Sequence, residues 1–205
     1  MKWTGRKKMI SEIYNRRSIR NFLDQPISHE DLTDIMESGS KAPSSKNRQP
    51  WKYVVVQGNA KEEMLKAFRQ GIEREEGERA LLPRDKQHIA GAKHTADIME
   101  QAPVIVFVVN SLGRNIQSEL TFEEHVYEIC NVQSVSASIE NMLLAAVEKG
   151  IGSLWICDIY FAYPELCEWL HSDGQLLAAI AFGYPGEFPK ERPRKRMEDI
   201  VEWRS

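Results

Sequence analysis

The chain has 205 residues, which fits one domain, and its 27 Lys plus Arg against 30 Asp plus Glu leave a formal charge of −3. That balance argues against a general nucleic-acid binder, which needs surplus cations to neutralise phosphates. With 42% hydrophobic and 28% charged residues, the composition is that of a folding chain and not of a disordered one.

The longest apolar runs, residues 103–109 and 176–182, fall well short of the roughly 20 residues a bilayer-spanning helix needs, so no membrane span is expected. The N-terminus, Met1-Lys2-Trp3-Thr4-Gly5-Arg6-Lys7-Lys8, is basic with no apolar stretch after it, so export is not expected. Cys130, Cys157 and Cys167 form an odd set with no C-x-x-C pair. They fit neither a disulfide framework nor a thiolate zinc site, and a reducing cytoplasm is the expected compartment.

In chain order, Ser28-His29-Glu30-Asp31 has capping-box spacing, and Leu32, Ile35 and Met36 extend a helix to about Gly39. A polar loop over residues 41–49, punctuated by Pro43 and Pro50, feeds a strand over 51–56. Residues 60–100 predict two surface helices joined by a turn at 77–83, with Leu65, Phe68 and Ile72 on the inner face of one and Ile89, Ile98 and Met99 on that of the other. The β-branched run 103–109 predicts a central strand covered on both faces. Thr121-Phe122-Glu123-Glu124 again has capping-box form and opens the longest helix, which continues to Gly150. Its small residues suit close packing, either in a dimer core or within one chain. A strand at 153–156, a short helix near 164–170, a strand at 176–182 and a Pro/Arg-rich tail complete one α+β domain over residues 1–205.

Several familiar site signatures are missing from the sequence: G-x-x-x-x-G-K-[ST], H-E-x-x-H and G-x-S-x-G. Gly150-Ile151-Gly152 starts like a dinucleotide fingerprint, but Trp155 stands where the third glycine belongs, and a helix precedes it where a strand is required. His29, His88, His94, His125 and His171 have no metal-ligand spacing, so no metal site is expected.

Arg16-Arg17-Ser18-Ile19-Arg20 concentrates three guanidinium groups and a hydroxyl. In an extended chain Arg16, Ser18 and Arg20 address one side, a suitable set for an anionic ligand; the plainer reading is a solvated basic run. In the loop, Asn47 offers a carbonyl and an amide to a heterocycle with adjacent C=O and N–H groups, and Ser44, Ser45 and Gln49 add polar contacts. Read alone, this loop is a Ser- and Pro-rich turn.

Together, Arg-Arg-Ser-x-Arg at 16–20 and Pro-Ser-Ser-x-Asn-x-Gln-Pro-Trp at 43–51 resemble the FMN-dependent nitroreductase family. Gly150-Ile151-Gly152-Ser153-Leu154-Trp155-Ile156, Ala181-Phe182-Gly183-Tyr184-Pro185 and Arg192-Pro193-Arg194-Lys195-Arg196 resemble its remaining blocks in the same order, from about Ile10 to Val201. The resemblance implies a nitroreductase-like α+β fold, a central mixed and mainly antiparallel sheet flanked by helices, and an intertwined homodimer with two FMN molecules at its interface. It also implies that Arg16 and Arg194 bind the phosphate, with Arg17 and Ser18 at the phosphate and ribityl end and Arg192 in the same tail block. Arg20 would lie at the pyrimidine edge, its charge favouring an anionic reduced ring. Asn47 would bind the pyrimidine ring, while Pro43, Ser44 and Ser45 would come from the partner subunit.

Backbone of Ile156, Cys157 and Asp158 is implied at the hydride-accepting nitrogen, although many relatives carry Gly or another small residue at the last two positions. A thiol there suggests redox exchange or, as for most unpaired cysteines, a small core residue; the core reading is favoured because no second cysteine lies near in sequence. The implied chemistry is ping-pong: NAD(P)H reduces FMN and leaves, then a nitroaromatic, quinone or similar acceptor takes the electrons, with no catalytic acid or base to name. Acceptor choice would reside in the helical pair at 61–100 and the connection at 111–122. Alternatives are a flavin-fragmenting or reductively dehalogenating branch of the family, or a protein that holds FMN without turnover.

Overall fold

Ten regular elements are laid down around one four-stranded sheet in the computed structural model, which describes residues 10–204. The basic segment at residues 1–8 lies outside the described residues. In chain order the elements are α1 (Ser11–Asn15), α2 (His29–Ser40), β1 (Trp51–Val56), α3 (Ala60–Glu76), α4 (Ile89–Gln101), β2 (Val104–Asn110), α5 (Phe122–Glu148), β3 (Gly152–Ile156), α6 (Tyr163–Leu170) and β4 (Gln175–Gly183). None of the helices among the described residues is long and apolar enough to cross a membrane.

The sheet order is β1-β2-β4-β3, and every neighbouring pair is antiparallel. The parallel component is one bridge, Ser18 to Ser153, on the outer side of β3. Every residue of β2 is buried. Ile105, Phe107 and Val109 pack with α3, α4 and α6, whereas Val104, Val106 and Val108 pack with α2 and α5. Side chains alternate across a strand, so a strand covered on both faces needs an apolar residue at every position, as the 103–109 run has.

Helix α3 turns Leu65, Phe68 and Ile72 inward as their spacing predicts, and adds Met64 and Glu75. Gly71 lets it approach the turn before α6, since a Cβ there would stand 2.3 Å from the Cα of Ala162. In α4, Ile89, Ile98 and Met99 are buried, also as predicted.

The two capping sequences behave differently. Thr121 and Glu124 form the full reciprocal box at the start of α5. Ser28 accepts the Asp31 backbone N–H at 3.0 Å, but the Asp31 carboxylate does not return to the backbone of Ser28. It accepts from the Ser28 hydroxyl at 2.7 Å and from Lys149 at 2.9 Å, tying α2 to the end of α5. The shorter Asp side chain is captured by a tertiary cation, so only half of the predicted box forms.

Along α5, Val135, Ile139, Met142, Leu143 and Ala146 are buried under the sheet. Phe122 (85% exposed), Val126, Tyr127, Ile129 (57% exposed) and Val132 are left outward. The helix therefore has an intrachain core face and a second apolar face, Phe122, Val126, Ile129 and Val132, that is exposed among the described residues.

Candidate functional site

The Arg-rich segment leaves α1 at Arg16 and runs extended along the β3 edge. Ile19 is its anchor: its side chain is buried, and its N–H donates to the Ser153 carbonyl at 2.9 Å. Arg16 is half-buried and stands 3.9 Å from the Glu140 carboxylate of α5. Arg20 is exposed, and among the described residues its guanidinium reaches only the Ser18 carbonyl at 3.4 Å. Arg17 departs from this group. Its guanidinium folds back onto the carbonyls of Tyr14 (2.7 Å) and Arg16 (2.8 Å), satisfying backbone acceptors freed where α1 ends. With Ile19 and Ser153 it lines a cavity of about 330 Å³.

Ser153, opposite Ser18, is 2% exposed, and its Oγ has no hydrogen-bond partner among the described residues. A buried hydroxyl without a partner is costly in a finished core and informative beside a ligand site. Sequence reasoning passed over it, although a lone serine inside an apolar strand was a usable signal. Arg16, Ser18, Arg20 and Ser153 make up a donor-rich set that fits an anionic, hydroxylated ligand such as the phosphate and ribityl chain of a flavin nucleotide.

The second predicted segment sits before β1. Ser44 is half-buried, while Pro43, Ser45, Asn47 and Gln49 are exposed. Ser44 Oγ accepts the Gln49 backbone N–H at 3.0 Å, and the Asn47 side-chain carbonyl accepts from the Gln49 amide at 3.1 Å. The Asn47 carbonyl is thus already engaged within the loop. Lys46 (φ 53), Asn47 (φ 53) and Gln49 (φ 48) all occupy the left-handed region. Such residues cost about 1–3 kcal/mol each and persist only where surrounding contacts impose them. Those contacts come from α5: Ser45 N–H donates to Ser134 Oγ at 3.3 Å, and Lys46 and Arg48 lie 5.6 and 5.3 Å from the Tyr127 ring centroid.

The two segments do not meet within the chain. The loop feeds β1, at one edge of the sheet, and Arg16 to Arg20 borders β3, at the other. Three strand spacings, roughly 14 Å, separate the edge strands.

Ile156, Cys157 and Asp158 follow the β3 edge into a short 3-10 turn. Ile156 is buried in the core beneath α3 and α4. Cys157 corrects the expectation of a core thiol: it is exposed and lines a cavity of about 810 Å³. The strand has ended and the chain turns there, so the side chain is carried out past the sheet. Burial of the sulfur region and the neighbouring Asp158 charge push its thiol above the ordinary value, which keeps it protonated and poorly nucleophilic at neutral pH. Asp158 accepts a hydrogen bond from Thr95 of α4 at 2.5 Å.

Leu81, Leu82, Ile116, Tyr160 and Phe161 supply much of the apolar wall of this cavity. Tyr160 and Tyr163, which also lines it, stack with centroids 5.8 Å apart and planes at 10°. Its size and lining are those of a small-molecule pocket. The wall includes residues from both segments expected to govern acceptor choice, 61–100 and 111–122.

The tail arginines stay outside this arrangement. Arg192 and Arg194 are exposed, and Arg194 donates only to the Arg192 carbonyl at 3.5 Å among the described residues. No hydrogen bond among the described residues joins either to Arg16, Ser18 or Arg20.

The sequence pattern of the nitroreductase family matches residues 13–184. A Haemophilus influenzae protein provisionally named an NAD(P)H nitroreductase is 25% identical, the match covering 96% of this chain and 97% of that protein. An Archaeoglobus fulgidus protein provisionally named an NADH dehydrogenase/NAD(P)H nitroreductase is 31% identical, over 73% of this chain and 67% of its own length. Among solved structures, a provisionally named nitroreductase from Desulfovibrio desulfuricans in complex with FMN is similar with a TM-score of 0.69 and 26% identity, covering 95% of this chain and 96% of that one.

Proposed function

The chain belongs to the nitroreductase family, and from that premise we propose that it is a homodimeric, FMN-dependent NAD(P)H oxidoreductase that reduces nitroaromatic, quinone or related electron-poor acceptors. The observation that carries the dimeric, flavin-binding part is the division of the candidate residues between opposite edges of one sheet. A homodimer would bring one segment from each of two chains to a shared ligand. The outward apolar face of α5, with Phe122, Val126, Ile129 and Val132, supports the same assembly because it offers surface for a second copy.

FMN, when bound, would supply reversible acceptance of hydride and of electron pairs. Arg16 and Arg194 would hold its phosphate through charge-assisted hydrogen bonds, and Ser18 the ribityl end, with Arg17 and Arg192 adding positive potential. Arg20 would place a fixed cation at the pyrimidine edge and so favour negative charge there. Pro43, Ser44, Ser45, Asn47 and Gln49 would serve the second copy's site. Backbone of Ile156, Cys157 and Asp158 would bound the reactive side, next to the cavity of about 810 Å³. Entry of the uncharged reduced nicotinamide ring of NAD(P)H and then of the acceptor into this one cavity is the basis for the ping-pong order.

The test is the visible spectrum of the purified protein after incubation with FMN and gel filtration, followed by anaerobic NAD(P)H. A retained flavin spectrum that bleaches, on a particle of two chains, is expected. A colourless protein that never retains FMN would overturn the reading.

A further inference from the structure

The cavity beside Cys157 and Asp158 has an uneven chemistry. Its walls are aromatic and aliphatic, and its ionisable lining is acidic: Asp85 and Asp158 contribute carboxylates, and none of its described lining residues is Lys or Arg. His88 is the one lining side chain able to become cationic. One oxygen of the Asp158 carboxylate is fixed by the hydroxyl of Thr95, a residue only 7% exposed that lies behind the cavity lining. Asp85 is half-buried on the facing segment between α3 and α4. The Asp158 charge is felt locally, as it helps to raise the Cys157 thiol.

The stacked Tyr160 and Tyr163 add flat surface for a planar ring. Burial pushes both phenols up, so they stay neutral and add no charge to the wall. A flat organic molecule entering this cavity gains apolar contact whatever its charge, and pays an electrostatic penalty only if it is an anion. Like charge facing like charge in a partly enclosed site is a device of specificity more than of affinity.

We propose that this cavity is the acceptor site and that it selects by charge, admitting neutral or cationic aromatic acceptors and rejecting carboxylated or sulfonated ones, with Asp158 as the main specificity-determining residue and Asp85 as the second. The identification of the cavity with acceptor binding rests on the oxidoreductase reading above; the charge selection rests on the two carboxylates of the cavity wall.

3-Nitrobenzamide and 3-nitrobenzoate share ring, nitro group and size, and differ by one negative charge. Calorimetric titration of each into the purified protein at pH 8 and low salt, above the ordinary imidazole range, is expected to show the amide binding about tenfold more tightly. The gap should narrow severalfold in Asp158→Asn, less in Asp85→Asn, and also with added salt as the charges are screened. The same pair compared by kcat/KM should give the same order, and the ratio between wild type and variant cancels their intrinsic difference in reactivity. Asp85→Asn lies in a solvent-facing segment and keeps the test available if Asp158→Asn folds poorly.

Equal affinities, no detectable amide binding, or a preference unchanged in both variants would overturn the proposal. Discrimination in binding by a protein that neither retains flavin nor turns over would leave charge selection standing and remove the oxidoreductase reading. Turnover without discrimination would do the reverse.

Discussion

Arg74 and Arg20 carry the same side chain to opposite ends. Arg74, on α3, donates from Nε and Nη2 to both oxygens of Glu165 at 2.7 and 3.2 Å, and pairs with Glu75. Glu75 is itself buried and accepts the backbone N–H groups of Leu81 and Leu82 at 2.9 and 2.8 Å. These contacts fasten α6 and the 77–82 turn to α3, and with them one wall of the larger cavity. Arg20 has no carboxylate partner for its guanidinium among the described residues. A guanidinium whose donors are consumed by the fold is architecture; one positioned by the backbone, with its donors free, is capacity for a ligand.

That contrast breaks first, if it breaks, on stability. Glu75→Ala removes a buried anion, takes away one of the two carboxylate partners of Arg74 and leaves two N–H groups without acceptors, so urea unfolding should show a loss of about 3–5 kcal/mol. A loss under 1 kcal/mol would mean the network is ornamental.

A smaller effect should appear in acid. Burial pushes the Glu75 carboxyl up, but the Leu81 and Leu82 N–H groups and Arg74 outweigh it and leave the carboxyl below its ordinary value. A folded value below the unfolded one contributes stability that is fully present above the unfolded carboxylate range, about pH 4.3, and is lost as pH falls through the folded value. Below about pH 4, wild type should therefore lose stability more steeply than Glu75→Gln, as followed by thermal melts. Parallel acid limbs would show that Glu75 does not titrate in that window.

The smallest effect on stability belongs to Arg20→Ala, expected within about 0.5 kcal/mol of wild type because the charge is exposed and unpaired. Its consequence should instead be a weakening of FMN binding of about tenfold or more in fluorescence titration. A variant destabilised as strongly as Glu75→Ala would erase the distinction between the two arginines.

The fold was legible where a local pattern and its tertiary use coincide. The 103–109 run became a strand buried on both faces, and Thr121 with Glu124 closed a full capping box. Legibility ended where the partner of a side chain is remote in sequence. Asp31 has capping-box spacing yet answers to Lys149, and Asp158 is held by Thr95, 63 positions earlier. Glu75 looked like one more surface charge because the groups that bury it arrive from a later turn.

The candidate site divides in the same way. Arg16, Ser18 and Arg20 and the loop from Pro43 to Gln49 are candidates on residue type and order, since donors for an anion and a heterocycle are chemical properties of the chain, whereas Ile156 to Asp158 are candidates only through the family resemblance. Their arrangement could not be found in either way. Only the assembled sheet puts the first two groups on opposite edges, leaves Ser153 Oγ buried without a partner, turns Arg17 back onto α1, and carries Cys157 out of the core into a cavity with two carboxylates. Composition and periodicity are sums over neighbours along the chain, and they settle which elements form and which faces they bury. Distance across a sheet edge, unpaired charge and cavity shape arise between segments far apart in sequence, where only packing brings them together.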